Sequence, residues 1–288
     1  MIYEIHIVAP SDLEDSISDF LMENGSMGSV VDISMGRDKP LVKGYFADPD
    51  RESLSLQLQL ITVASGRSCA DISIQWQDLE EKDWENAWKK HARPIATGRR
   101  LLILPSWLEV DKDNRRQLIR LDPQMAFGSG SHETTRGCLE ALEKIADKGA
   151  LGEVLDMGTG SGILSIGAVL LGAHQVFAVD NDPIAVETAE KNCQINGVGS
   201  KVALILSDCP PPGPFQTIVA NILAHVLIEI RPSLVSSLAP GGYLVLSGIL
   251  AGQADEVISA YQADNRVQWA SFPMGEWVTL VFADHPNR

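Results

Sequence analysis

Four short stretches carry residue types able to do chemistry. Residues 154–165 read V-L-D-M-G-T-G-S-G-I-L-S, an apolar run broken by Gly158, Gly160 and Gly162 and then resumed. That pattern predicts a strand, a tight loop and a helix, with the glycines supplying positive φ and bare backbone so that N–H groups approach a ligand closely. Asp156 falls where the strand ends, and its carboxylate is expected to point into the crevice where open α/β sheets bind ligands. Asp180 closes the next apolar run, 175–179, about twenty residues beyond the glycines, where a carboxylate accepts hydrogen bonds from both hydroxyls of a ribose. Asn221 closes another run, 217–221; an amide there accepts from an amine and leaves the nitrogen lone pair free. The fourth stretch, residues 121–136, reads L-D-P-Q-M-A-F-G-S-G-S-H-E-T-T-R and runs into an amphipathic helix through Cys138, Leu139, Leu142 and Ile145. Ser131 is the expected helix cap, and Thr134 and Thr135 bring hydroxyls and free N–H groups to the first turn, a place to grip a carboxylate. A plain capped helix needs no Phe127-Gly128-Ser129-Gly130 ahead of it, so Phe127 and Gly128 are expected to line the same crevice as the glycine loop.

Glycine spacing separates the cofactors such a crevice takes. The dinucleotide fingerprint is G-x-G-x-x-G, whereas glycines at i, i+2 and i+4 are the pattern of S-adenosylmethionine (SAM) methyltransferases. A nicotinamide-dependent oxidoreductase is therefore the weaker reading. A non-catalytic assembly factor keeping the fold would be expected to lose Asp180 or Asn221, and both are present. His132 is a candidate general base, better explained as holding the F-G-S-G loop.

Composition bounds the rest. With 288 residues, 45% hydrophobic and 21% charged, the chain holds enough apolar material for a sizeable core and predicts two domains. Cys69, Cys138, Cys193 and Cys209 are scattered, without C-x-x-C spacing or clustered histidines, and are expected to be reduced and mostly buried, with no metal site. No basic region precedes an apolar one at the amino terminus and no apolar run is long enough to span a bilayer, so the expected location is the cytoplasm, away from membranes. A net charge of -15 disfavours a nucleic-acid backbone and suits a basic protein partner. A polynucleotide would have to meet the short basic stretch holding Arg99, Arg100, Arg115, Arg116 and Arg120.

The elements that must position these groups follow from periodicity. Residues 1–80 predict a β-α-β-β-α-β unit of ferredoxin-like type, with strands at 3–8, 28–33, 41–46 and 70–76 and helices at 12–24 and 52–64. It carries no catalytic constellation and is expected to recognise the substrate. Residues 81–98 predict a linker helix with Trp84 and Trp88 on one packing face, ended by Pro94. Residues 99–288 predict the chemical domain: strands at 100–107 and 117–121, then an alternation of strands and helices in which Asp182 and Pro183 are cap and first residue of one helix, 224–238 forms another, and 267–272 with 277–282 closes the sheet. Ser207-Asp208 either receives an adenine amino group or begins the P-P-P loop.

Together, L-D-P-Q-M-A-F-G-S-G-S-H-E-T-T-R, V-L-D-M-G-T-G-S-G-I-L-S, V-A-N-I-L-A and L-A-P-G-G-Y-L-V-L-S-G-I-L resemble PrmA, the bacterial ribosomal protein methyltransferase family that modifies large-subunit protein L-eleven. The resemblance covers nearly the full length, with Gln124, Ser129 and Ser131 as small departures. It implies a class I, Rossmann-like, seven-stranded SAM methyltransferase domain behind the ferredoxin-like one. It implies SAM contacts at Gly158, Asp180, Thr135 and Asn221, and in-line methyl transfer to an uncharged amine of a protein, lysine or amino-terminal. Methylation of RNA or DNA amines is the nearest competitor within the same chemistry.

Overall fold

The computed structural model describes residues 2–26, 28–32, 40–47, 49–79, 93–110, 113–121, 132–263 and 266–284. The chain divides into two compact units, Met1–Ala92 and Arg93–Arg288.

The first unit is a four-stranded sheet with two helices: β1 (Ile2–Val8), α1 (Glu14–Glu23), β2 (Ser29–Asp32), β3 (Leu41–Phe46), α2 (Arg51–Ala64) and β4 (Ser73–Leu79). The sheet order is β2-β3-β1-β4 and every pairing is antiparallel. Ile5 and Ile7 point to one face of β1 and form a core with Leu21, Val42, Leu54 and Leu58. The Asp50 carboxylate accepts the Ser53 N–H at 3.0 Å and starts α2. The fourth strand begins later than its residue types predict, because Ser68 and Asp71 form a capping box that winds Cys69–Asp71 into a 3-10 turn.

The second unit opens with a small sheet of β5 (Ile95–Thr97), β6 (Leu101–Pro105) and β7 (Gln117–Leu121). The linker helix expected over 81–98 is thus corrected at its end. Ile95 and Thr97 pair with Ile103 and Leu101, the helix-breaking Pro94 stands just before them, and residues 80–92, with Trp84 and Trp88, lie outside the described residues. Arg99, Arg116 and Arg120 of the basic stretch bond within the chain here, whereas Arg115 is exposed. Glu143 accepts the N–H groups of Arg99 and Arg100 and pairs with the Arg99 side chain, which also reaches Asp147. Arg116 donates to the carbonyls of Thr97, Gly98 and Leu101, and Arg120 to those of Ser106 and Leu108.

The main body follows as α3 (Glu133–Ala146), β8 (Glu153–Met157), α4 (Ile163–Leu171), β9 (Gln175–Asp180), α5 (Pro183–Ile195), β10 (Val202–Leu206), β11 (Phe215–Asn221), α6 (Ala224–Glu229), α7 (Arg231–Ser237), β12 (Leu238–Leu250), α8 (Ala254–Gln262), β13 (Arg266–Met274) and β14 (Trp277–Asp284). The strands form one sheet of order β10-β9-β8-β11-β12-β14-β13, parallel as far as β12 and antiparallel through β14 and β13. One face packs Leu139, Leu142, Ile166 and Val176; the other packs Leu227, Leu234, Tyr261 and Phe282. Two covered faces explain the continuous apolar strands. The single helix expected over 224–238 is two, because Pro232 cannot donate an N–H and its ring displaces the preceding turn. Cys138 and Cys193 are buried, but Cys69 and Cys209 are exposed, so the expectation of mostly buried cysteines holds for two of the four free thiols.

Candidate active site

The chain leaves β8 toward β9 and β10 on one side of the sheet, then returns to β11 and β12 on the other. That reversal puts the topological switch point at the carboxyl ends of β8 and β11, the place where α/β sheets bind ligands. Met157 pairs with Ala220 across it, so the glycine loop and Asn221 leave adjacent strands side by side. Gly158, Gly160 and Gly162 have φ of 77°, 55° and 80°, values that favour glycine. A Cβ on Gly158 would lie 2.6 Å from Cγ2 of Ile222, so the missing side chain is what lets the two motifs meet. Gly158 N and Thr159 N both donate to the Val179 carbonyl, at 2.8 and 3.0 Å, tying the loop to β9.

Asp180 stands half-buried at the end of β9. Its Oδ2 accepts Gly160 N at 2.9 Å and its Oδ1 accepts Asp182 N at 3.0 Å, which holds the carboxylate over the loop. Asp182 caps α5 through Ile184 N, and Pro183 opens that helix. Asn221 is also half-buried, and among the described residues no hydrogen bond is recorded to its side chain. Its strand neighbour Ser247 accepts Ile222 N through its carbonyl and donates its hydroxyl to the Thr134 carbonyl at 3.3 Å; the same hydroxyl lies 2.7 Å from that of Thr279. Ser247 thereby clamps the first turn of α3 beside Asn221 and brings Thr134 and Thr135, both buried, to the same end of the sheet. Gly248, at φ 79°, makes room for this: a Cβ there would come within 2.4 Å of the Ile222 carbonyl oxygen.

Two expectations are corrected. The cap of α3 is His132 rather than Ser131: its Nδ1 accepts Thr134 N at 3.3 Å and lies 2.7 Å from the Thr134 hydroxyl, while the ring meets Trp277 edge-on. Asp156, expected to point into the crevice, is not open to that end of the sheet. It is 0% exposed, and its Oδ2 accepts the hydroxyls of Thr159 at 2.7 Å and Ser165 at 2.6 Å, so the carboxylate braces the glycine loop from behind. Phe127, Gly128 and the rest of the F-G-S-G loop lie outside the described residues. Ser207 closes a turn onto Cys209 through its hydroxyl.

A match covers almost the whole chain: residues 2–285 fit the family described as Ribosomal protein L11 methyltransferase (PrmA). This chain belongs to the L11 methyltransferase family. A ribosomal protein L11 methyltransferase of Geobacter sp. (strain M21) is 39% identical over 283 residues, covering 90% of this chain and 91% of the relative. One from Citrifermentans bemidjiense is 38% identical and covers 97% of both chains. Among solved structures, a ribosomal protein L11 methylase of Lactobacillus delbrueckii subsp. bulgaricus is 34% identical with a TM-score of 0.60, covering 67% of this chain and 99% of its own. For a member of the L11 methyltransferase family, the residues missed in the sequence are the bracing hydroxyls Thr159, Ser165, Ser247 and Thr279. The sequence signals Ser165 alone, as a lone serine inside the apolar run of α4. Among the described residues no cluster of three or more metal-ligating side chains occurs, and no helix is long and apolar enough to cross a membrane.

Burial raises the pKa of Asp156 to about 6 against the opposing hydrogen bonds of Ser165 and Thr159, with the Asp180 charge adding to the rise. Buried Cys138 and Cys193, each pushed up to about 12, also feel that carboxylate. Between the ordinary carboxylate value near ~3.9 and about 6, folded Asp156 keeps a proton that the unfolded chain has released. Folding stability therefore falls as pH rises through this window and levels off above it, by an amount on the order of 3 kcal/mol. Urea unfolding of wild type and Asp156→Asn at several pH values checks the sign. The wild type loses stability relative to the variant between pH ~4 and ~6.5, and parallel profiles contradict the assignment.

Proposed function

We propose that this protein transfers methyl groups from SAM to amino groups, lysine and amino-terminal, of a large-subunit ribosomal protein, L11 as in the names of its relatives, in the cytoplasm. The observation that carries the proposal is the juxtaposition at the switch point: a positive-φ glycine loop closing against Ile222, with Asp180 over the loop and Asn221 beside it. The fit to SAM rests on the same features. Gly158 has no room for a Cβ, and one buried polar atom under the loop, Asp156 Oδ1, lacks a hydrogen-bond partner among the described residues. Asp180 would hold the ribose hydroxyls. Gly158 and Gly160 would present backbone to the methionine portion, together with Thr135 and the expected contacts of Phe127, Gly128 and Thr134. Asp156 serves the cofactor through the loop it braces.

When bound, SAM supplies an activated methyl group on a sulfonium. The chain's own part is to orient the amine and keep water out. A lysine amine, with an ordinary pKa near ~10.4, must enter neutral, and burial favours that form. Asn221 accepts an amine hydrogen through its side-chain carbonyl, leaving the lone pair free. His132 is committed to the start of α3. The first unit, ferredoxin-like in its β2-β3-β1-β4 order and strongly acidic, is the substrate-recognition domain. With Arg99, Arg116 and Arg120 already bonded within the chain, the basic stretch offers a nucleic-acid substrate less than its five arginines suggest. The cofactor is tested by thermal shift. SAM at ~100 times its Kd stabilises the fold by about 2.7 kcal/mol, whereas NAD does nothing; stabilisation by NAD alone would return the site to hydride chemistry.

A further inference from the structure

Residues 53–66 read S-L-S-L-Q-L-Q-L-I-T-V-A-S-G, fourteen positions without a charge in a chain that is 21% charged. The alternation has the period of a strand, yet the segment is helix α2. A period of two wound at 3.6 residues per turn necessarily places leucines on two opposed stripes. Leu54 and Leu58 take the inner stripe and are buried with Ile5, Ile17 and Leu21. Leu56, Leu60 and Val63 form the outer one, exposed by 58%, 59% and 51%. A scattered exposed leucine is ordinary. Three apolar side chains at i, i+4 and i+7, with Glu52 one turn before the first, have instead the spacing by which a helix anchors in a partner's groove.

We infer that this outer stripe of α2 docks the protein substrate, an inference that rests on the function proposed above. Two considerations select that occupant over a second copy of the chain. Three anchors fall far short of the roughly 20 to 30 residues a side that a stable interface uses, so the stripe holds its partner briefly, as turnover requires. Two copies that each carry a net charge of -15 also repel one another, whereas a basic ribosomal protein is drawn toward the acidic surface and then meets a neutral apolar landing site. Glu52, exposed one turn before Leu56, and Asp12, exposed although paired with Arg67, belong to that acidic surface. The matching patch on the substrate is an apolar cleft rimmed by Lys or Arg.

The test is the double variant Leu56→Gln/Leu60→Gln, which keeps good helix formers and extends a face that already holds Gln57 and Gln59. Steady-state methylation of recombinant ribosomal protein L11 should show KM raised about ten-fold or more, with kcat and SAM affinity within about two-fold of wild type. Thermal unfolding should be unchanged. An unaltered KM overturns the docking role. So does a drop in melting temperature, which would make the stripe part of the fold, or a wild-type dimer at micromolar concentration that the variant loses. A wild-type protein that binds SAM yet leaves L11 unmodified refutes the parent function instead and removes this partner with it.

Discussion

Alanine in place of Asn221 lowers kcat by roughly 100-fold while the SAM dissociation constant moves by less than about three-fold. The expectation follows from where the residue stands. Asn221 ends β11 one residue before Ile222 seals the glycine loop, and its strand partner Ser247 is locked to α3 and Thr279. These contacts fix the strand end that carries Asn221, and its amide, without a hydrogen bond of its own among the described residues, is left to accept from the amine, a benefit realised mainly in the transition state. Aspartate retains an acceptor but favours the protonated amine, which cannot attack, so Asn221→Asp should recover part of the rate with its optimum moved to higher pH. Steady-state kinetics with calorimetric SAM binding reads both. A variant in which only the SAM constant rises would make Asn221 a cofactor ligand.

Asp180→Ala weakens SAM binding by about 1.5 to 3 kcal/mol, or roughly 10- to 150-fold in Kd, through loss of charge-assisted bonds to two hydroxyls. It also frees Gly160 N and Asp182 N, which the carboxylate now holds, so the loop loosens as the ligand leaves. The separating measurement is affinity for SAM beside affinity for an analogue lacking the ribose hydroxyls. Wild type should distinguish the two and Asp180→Ala should not; equal discrimination by both proteins would reduce Asp180 to a loop support.

Much of this arrangement was legible because local chemistry and global placement agree. Three glycines at alternate positions are hard to use except where backbone must turn sharply, and strand ends at Asp180 and Asn221 follow from apolar runs that stop at one polar residue. Asp156 was misplaced for a physical reason. Both faces of β8 are covered, so inward and outward positions have the same apolar signature and alternation cannot give the direction of a carboxylate. Hydroxyls such as that of Ser131 are the commoner caps, yet here His132 Nδ1 caps the helix with Trp277 against its ring. The break between α6 and α7 was readable in Arg231-Pro232, and the apolar residues on both sides concealed it. Most of the tertiary bracing, from Ser247 to Thr134 and Thr279, joins residues over 30 positions apart and leaves no local trace.

The most direct measurement is incubation of the protein with methyl-labelled SAM and recombinant ribosomal protein L11, followed by mass spectrometry of the substrate. Label is expected on amino groups of L11, in multiples of one methyl mass at lysine or the amino terminus, with roughly a hundredth as much when Asn221→Ala is used over the same interval. Label on carboxyl or hydroxyl oxygens, on nucleic acid alone, or on nothing while SAM remains bound would contradict the proposed function.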